Sequence, residues 1–365
     1  MPFCKQKCLY CDFPSYSGKE SLMDDYVDAL NKEILNKAAE YRIKSIFIGG
    51  GTPSYLDEKN MEKLLSTINK LSFSDDIEFT MECNPGTLNE EKLLIMKRNN
   101  VNRLSLGLQS TNNSLLKEIG RIHSFNEFKE NYNLARKCGF NNINVDLMFG
   151  LPNQTIDDWT QSLEDIISLK ADHISAYSLI IEEGTCFYNL YEKDKLNLPC
   201  ENDERIMYSM TKDILKEHGY HQYEISNYAK DGKECFHNKV YWKLGEYLGL
   251  GVSSSSFIDE KRIKNIDGIR EYIEKINNNQ DVGGEIHVND KKDDMEEFMF
   301  MGLRMIEGID VEKFKKKFGK DVYDVYEEPI EKHVQEGLLI YDSGKLKLTS
   351  KGIELSNYVM SDFIL

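Results

Sequence analysis

Three thiols stand within the first eleven residues, Cys4, Cys8 and Cys11, in a CxxxCxxC spacing that leads into Asp12-Phe13. Thiolate is the soft ligand favoured by iron–sulfur clusters and by zinc, and three so close in sequence can wrap one compact inorganic centre. A structural zinc site wants four ligands, usually with a second paired knuckle nearby. Here the next cysteine is Cys83 and the first histidine is His123. Three ligands without a neighbouring fourth point to a [4Fe–4S] cube with one iron left open. A zinc knuckle and a reactive thiol cluster are the alternatives.

Further polar groups sit where apolar runs end. Lys44–Ile48 reads as a buried strand that runs into Gly49-Gly50-Gly51-Thr52-Pro53-Ser54. Such a turn lets backbone approach a ligand closely, although a plain tight turn has the same pattern. Glu82 ends the next apolar run, Gln109 follows another, and Arg121 comes just after Gly120. Asp146 is an acid inside the apolar run Asn142–Met148. A buried carboxylate must be paired or bound, so an Arg121–Asp146 ion pair is the alternative to a ligand site. Further on, Cys235, His237, Tyr241 and Trp242 put thiol, imidazole and aromatic rings together. Thiol and imidazole are the usual axial ligands of haem iron, while Tyr and Trp at this spacing also suit a packed core.

Taken together these stretches resemble the radical S-adenosylmethionine (SAM) proteins, whose signature is CxxxCxxC followed by an aromatic. Cys11-Asp12-Phe13 is similar to the HemW-like branch of the oxygen-independent coproporphyrinogen III oxidase family. The resemblance covers the chain from Phe3 to the run at 348–357. It implies that SAM chelates the open iron through its amino and carboxylate groups, and that its cleavage would yield a 5′-deoxyadenosyl radical. The SAM contacts it implies are Gly50, Gly51, Thr52, Glu82, Gln109, Arg121, Asp146 and Ile180, with Cys4, Cys8 and Cys11 on the metal. The branch further implies haem as cargo, a haem-protein acceptor that can be a membrane protein, and an electron donor such as flavodoxin or ferredoxin. The competing function is oxidative decarboxylation of coproporphyrinogen III. Oxidases of the family carry one more Cys two residues after the third, and Phe13 stands there, which favours the chaperone. His237-Asn238 with Tyr241-Trp242 resembles the family's HNxxYW element. Family members often have a His where this chain has Ser254-Ser255-Ser256; Ser255 is the expected neighbour of a second SAM.

The elements that must position these groups alternate strand and helix. Strands are expected at 44–48, 77–82, 102–108, 142–148, 173–179 and 220–225. Helices are expected between them, the first capped by Ser21 and others near 57–71, 89–98, 124–138, from Thr155, and 204–218. Such alternation implies βαβ units and a parallel sheet, with chemistry at the C-terminal ends of the strands. By resemblance, residues 1–230 form the partial (β/α)6 barrel of radical SAM proteins and 295–365 a small winged-helix-like α+β domain. Between them 231–294 reads as an extension and connector, since from about 259 the composition shifts to Asn, Lys, Asp and Gly, with one short helix near 268–276. The family's first strand ends Ile-Pro-Phe-Cys, whereas this sequence opens Met1-Pro2-Phe3-Cys4, so the first barrel strand is expected to be missing. A start placed downstream of the true one explains this better than a bared strand edge beside the cluster.

Composition narrows the class. The balance of 62 acidic against 46 basic residues, a formal charge of −16, disfavours non-specific nucleic-acid binding. Lys315–Lys317 is a basic spot, but Glu327, Glu328, Glu331 and Glu336 crowd the next helix and should repel phosphate, so a lid over the barrel fits the C-terminal module better than a DNA-binding regulator. Eight scattered cysteines suit a reducing cytoplasm rather than a disulfide scaffold. No apolar run approaches the roughly 20 residues that span a bilayer.

Overall fold

The computed structural model describes residues 1–365. A 3-10 turn at Glu20–Leu22 opens into α1 (Met23–Lys37). Ser21 lies within that turn and does not cap the helix, whose N-cap position is Leu22 and carries no side-chain cap. Then come β1 (Arg42–Ile48), α2 (Glu58–Ile68), β2 (Ser72–Cys83), α3 (Glu90–Arg98) and β3 (Arg103–Gln109). The alternation continues through α4 (Asn113–Glu118), α5 (Phe125–Lys137), β4 (Ile143–Phe149), α6 (Ile156–Ser168) and β5 (His173–Ser178). Helices α7 (Cys186–Tyr191) and α8 (Glu201–Glu217) lead to β6 (His221–Glu224) and β7 (Asn227–Ala229). Local chemistry sets several of these starts: Asp57 and Asn89 accept from backbone N–H groups of α2 and α3, and Ser124 and Thr155 form capping boxes on α5 and α6.

The sheet runs β1-β2-β3-β4-β5-β7-β6, with β1 to β5 parallel. It is curled into the expected partial barrel, helices outside, and one continuous apolar core lies between the outer sheet face and the helices. The last strand departs from expectation. β6 does not lie beside β5; β7 is inserted between them, antiparallel to both. The link from Glu224 to Asn227 is only Ile225-Ser226, braced by Ser226 N–H donating to the Glu224 carboxylate, and so short a link can only return the chain antiparallel. The far edge of β6 is covered by residues 304–306, Ile225 N–H donating to Arg304 O and Ile306 N–H to Tyr223 O, each 3.1 Å. At the opposite edge β1 pairs only with β2, and residues 1–3 lie on the turn that follows β1.

The stretch expected as a connector is folded. After α9 (Phe236–Trp242), β8 (Ser255–Ile258), β9 (Lys261–Asn265) and β10 (Gly283–Val288) make an antiparallel sheet, and α10 (Ile269–Asn277) lies between β9 and β10 in sequence. Ile269, Tyr272, Ile276 and Val282 join the barrel's own core. Glu33 of α1, buried, accepts from Gly251 N–H (2.8 Å) and the Tyr272 hydroxyl (2.5 Å) and pins the extension in place. The Asn, Lys and Asp that suggested a linker are the exposed side of this layer.

The C-terminal unit has its own apolar cluster, from Met295 to Phe363. Its order is α11 (Lys291–Leu303), β11 (Ile309–Asp310), α12 (Val311–Phe318), α13 (Val322–Gln335), β12 (Leu339–Asp342), β13 (Lys345–Leu348), α14 (Ser350–Glu354) and α15 (Ser356–Ser361). The strand order β11-β13-β12 with this helix sequence is that of a winged helix. No helix of the chain is long and apolar enough to cross a membrane.

Candidate functional site: the open mouth of the half-barrel

The cysteine loop is seated on the turn after β1 by backbone bonds. Gly51 N–H donates to Met1 O (2.6 Å), Thr52 N–H to Phe3 O (2.8 Å), and Cys4 N–H to Tyr16 O (3.0 Å). Phe3 is buried beneath, edge-on against Tyr26. The contact is so close that only glycine fits at position 51: a Cβ there would lie 2.8 Å from Phe3 O and 3.1 Å from Cys4 Sγ. Cys4 is buried with its sulfur 3.5 Å from Thr52 Oγ1, while Cys8 and Cys11 are half-exposed. On the other side Leu9 N–H donates to Ile119 O, and Leu9 and Tyr10 pack against the same small apolar cluster, around Leu116 and Phe187, as Leu179 and Ile181 of the loop after β5. Three thiols on one short loop, Cys4, Cys8 and Cys11, suit a cube that offers a separate iron to each thiolate.

Of the remaining expected residues, Gly50 and Arg121 touch this loop, and Glu82, Gln109 and Asp146 lie at or near the ends of their strands. Gly50 N–H donates to Glu82 Oε2 at 3.1 Å, and a Cβ at Gly49 would lie 2.9 Å from that same oxygen. Burial, and then the charge of Asp146, push the Glu82 carboxyl up to about 8. Gln109 ends β3 in a left-handed conformation, φ 76°, where the ladder to β4 shifts register. A non-glycine residue held there is a strained element of the kind found at ligand clamps. Arg121 donates to Cys8 Sγ (3.5 Å), to Asn84 Oδ1 and to Gly107 O, and its Nε is left without a partner. The expected alternative of an Arg121–Asp146 ion pair is not formed. Asp146 instead accepts from Asn144 Nδ2 (2.7 Å) and Ser105 Oγ (3.2 Å), and burial holds its carboxyl above the ordinary range. Ile180 is 65% exposed on the loop after β5, with the flanking Leu179 and Ile181 turned inward. Ser255 is exposed at the start of β8.

Below the mouth the inner face is a polar network that sequence reasoning missed. Asn144 Oδ1 meets His173 Nδ1 (2.7 Å), and His173 Nε2 meets the Tyr223 hydroxyl (2.9 Å). Glu78 caps α9, accepting from Phe236 N–H and His237 N–H, each at 2.9 Å, and from the Cys235 thiol at 3.4 Å. The only signal was alternation: Arg103, Ser105 and Gly107, like Asn144 and Asp146, or His173, Ser175 and Tyr177, share one face of a strand. Cys235 and His237, the residues whose types suit a haem iron, both have protein partners here. Cys235 is fully buried, its thiol pushed up to about 11 by burial. His237 is stacked on Phe47 with Nδ1 at 2.9 Å from Ser45 Oγ and Nε2 at 2.8 Å from the Tyr241 hydroxyl, and burial holds it down at about 4. The thiol and the imidazole both serve to seat α9 against the barrel floor.

Comparison with known proteins gives the same picture over the whole chain. Residues 1–166 match the radical SAM superfamily and residues 289–355 match the HemN C-terminal domain. The chain is 38% identical to the heme chaperone HemW of Bacillus subtilis, covering 100% of this chain and 97% of that one. It is 38% identical to the same-named protein of Lactococcus lactis (100% and 96% covered) and 40% identical to that of Escherichia coli (70% and 68%). Among solved structures, coproporphyrinogen III oxidase (HemN) of Escherichia coli, a radical SAM enzyme, matches with a TM-score of 0.86 at 22% identity, over 100% of this chain and 88% of that one. That likeness establishes a shared fold.

Proposed function

We propose that this chain, which belongs to the HemW family of the radical SAM superfamily, binds haem and hands it to an acceptor haem protein. The observation that carries this reading is its likeness, along its full length, to relatives named heme chaperones. Phe13 supports it: the thiol that resemblance assigns to the oxidases at that position is replaced by an aromatic ring, 58% exposed beside Cys11. Cys4, Cys8 and Cys11 are the residues to hold a [4Fe–4S] cluster, which when bound supplies an electron and an open iron for SAM. Around it Gly50, Gly51 and Thr52 offer backbone and a hydroxyl for the SAM amino group. Glu82 and Asp146 offer carboxyl acceptors, Gln109 and Arg121 further polar contacts, and Ile180 a contact largely through its backbone. A flavodoxin or ferredoxin is the expected electron donor, the cytoplasm the expected compartment, and a membrane-embedded haem protein one kind of acceptor.

Haem ligation does not call on Cys235 or His237 in this reading, since recruiting the thiol would take it from Glu78 and recruiting the imidazole would take it from Ser45 and Tyr241, leaving polar groups unpaired. The test is spectroscopic. Haem added to the protein should give a saturable Soret band that persists when the cluster is removed. Coproporphyrinogen III incubated with the reconstituted protein, SAM and a reductant should be recovered unchanged. Decarboxylation without any affinity for haem would replace the chaperone with the oxidase.

A further inference from the structure

The floor of the half-barrel carries a cation with no protein partner. Arg103 opens β3, opposite Thr80 of β2, on the inner face it shares with Ser105 and Gly107. It is 1% exposed, yet its Nε is buried without a hydrogen-bond partner and the guanidinium forms no ion pair. A guanidinium remains charged and presents five N–H donors in a fixed fork, so burying it bare is strongly unfavourable. The carboxylates on the neighbouring inner faces are engaged elsewhere. Glu78 caps α9, and Asp146 accepts from Asn144 and Ser105. The other groups within its field, the imidazoles of His173 and His237, are held neutral by burial and by this same charge.

Above it Phe47, Glu82, Asp146 and Tyr177 lie on the inner face, and none of the four is fully buried, so solvent reaches the barrel interior at that level. Arg103 begins β3 and Gln109 ends it, which separates their backbones by roughly 20 Å at strand spacing. Of the residues assigned to SAM, Gln109 is at the far end, while Asp146 pairs with Gly107 and Glu82 with Ser105, between Arg103 and the mouth.

We propose that Arg103 is an anchor for a carboxylate, and that the carboxylate is a propionate arm of the tetrapyrrole cargo inserted into the barrel interior. The forked donors match the two oxygens of a carboxylate, the pairing in which a guanidinium is most selective. The assignment rests on the haem reading above.

The experiment compares haem with haem dimethyl ester, in which both propionates are neutral, on the full-length reconstituted protein. Wild type is expected to bind haem roughly tenfold or more tighter than the ester, the usual weight of a hydrogen bond to a charged group. Arg103→Gln should abolish that preference while leaving ester affinity and cluster content unchanged. Arg103→Lys, a single point charge with fewer donors, should reduce the preference several-fold, and it decides the matter should the Gln variant fail to fold. Equal wild-type affinity for haem and ester, or a preference undiminished in the variants, overturns the anchor and leaves the haem reading standing. Wild type that binds neither compound overturns both.

Discussion

Replacing Gly51 by alanine tests whether the turn after β1 is the seat of the cysteine loop. The added Cβ would stand 2.8 Å from Phe3 O, 3.0 Å from Met1 O and 3.1 Å from Cys4 Sγ. Two of these three neighbours are backbone atoms, which cannot rotate away, and both belong to the strand of chain that carries Cys4. Relief therefore requires the loop to lift off, stretching the bonds Gly51 N–H to Met1 O (2.6 Å) and Thr52 N–H to Phe3 O (2.8 Å). Overpacking of this kind costs about 1–3 kcal/mol, which would depopulate the seated loop by roughly 5- to 150-fold if it fell there alone. Should the strain be shared with the fold, melting should drop by about 2–12 °C. The assay is iron and sulfide content after anaerobic reconstitution, with thermal unfolding of the same sample. Gly268→Ala, where a Cβ meets nothing closer than 3.4 Å, is the control and should behave as wild type. Full iron content together with an unshifted melting point in Gly51→Ala would refute the reasoning.

Serine at Cys4, Cys8 or Cys11 should abolish the cluster's visible absorbance, whereas serine at the exposed Cys200 or at Cys138 should not; iron and sulfide assays check this. Glu82→Ala and Asp146→Ala should each weaken SAM binding by about 1–3 kcal/mol by calorimetry with the cluster intact, the range for losing a hydrogen bond to a charged group. The Glu82 carboxyl, raised in the fold from 4.5 to about 8, holds a proton that the unfolded chain releases. Its contribution to the stability of the cluster-free protein is therefore fully present at acid pH and lost as pH rises through about 8, so Glu82→Gln should flatten the fall of melting temperature across that window. An equally steep fall in the variant would contradict it.

Much of this molecule was legible in its sequence because local rules carried it. Gly-rich turns after strands, caps such as Ser124 and Thr155, and helical periodicity fixed the alternation of β1 to β5 and the placing of the mouth residues. Three features escaped. The hairpin at Ile225-Ser226 reverses the last strands over too few residues for periodicity to register. The layer from β8 to β10 is thin and solvent-facing, so its composition imitates a linker while Tyr272 and Glu33 tie it to α1. The inner-face network of Arg103, Asn144, His173, Tyr223 and Glu78 joins residues far apart in the chain, and only the curl of the sheet brings them together. The neighbours of Cys235 and His237, namely Glu78, Ser45 and Tyr241, were hidden for the same reason, being distant or unmarked in the linear order.

The most direct test of the central claim is transfer. Haem-loaded, cluster-reconstituted protein is mixed with a haem-depleted haem protein, the two are separated, and the Soret absorbance of each is read. The account predicts that the band leaves this chain and appears on the acceptor. Failure of this chain to take up haem at all, with coproporphyrinogen III consumed in its presence instead, would contradict it.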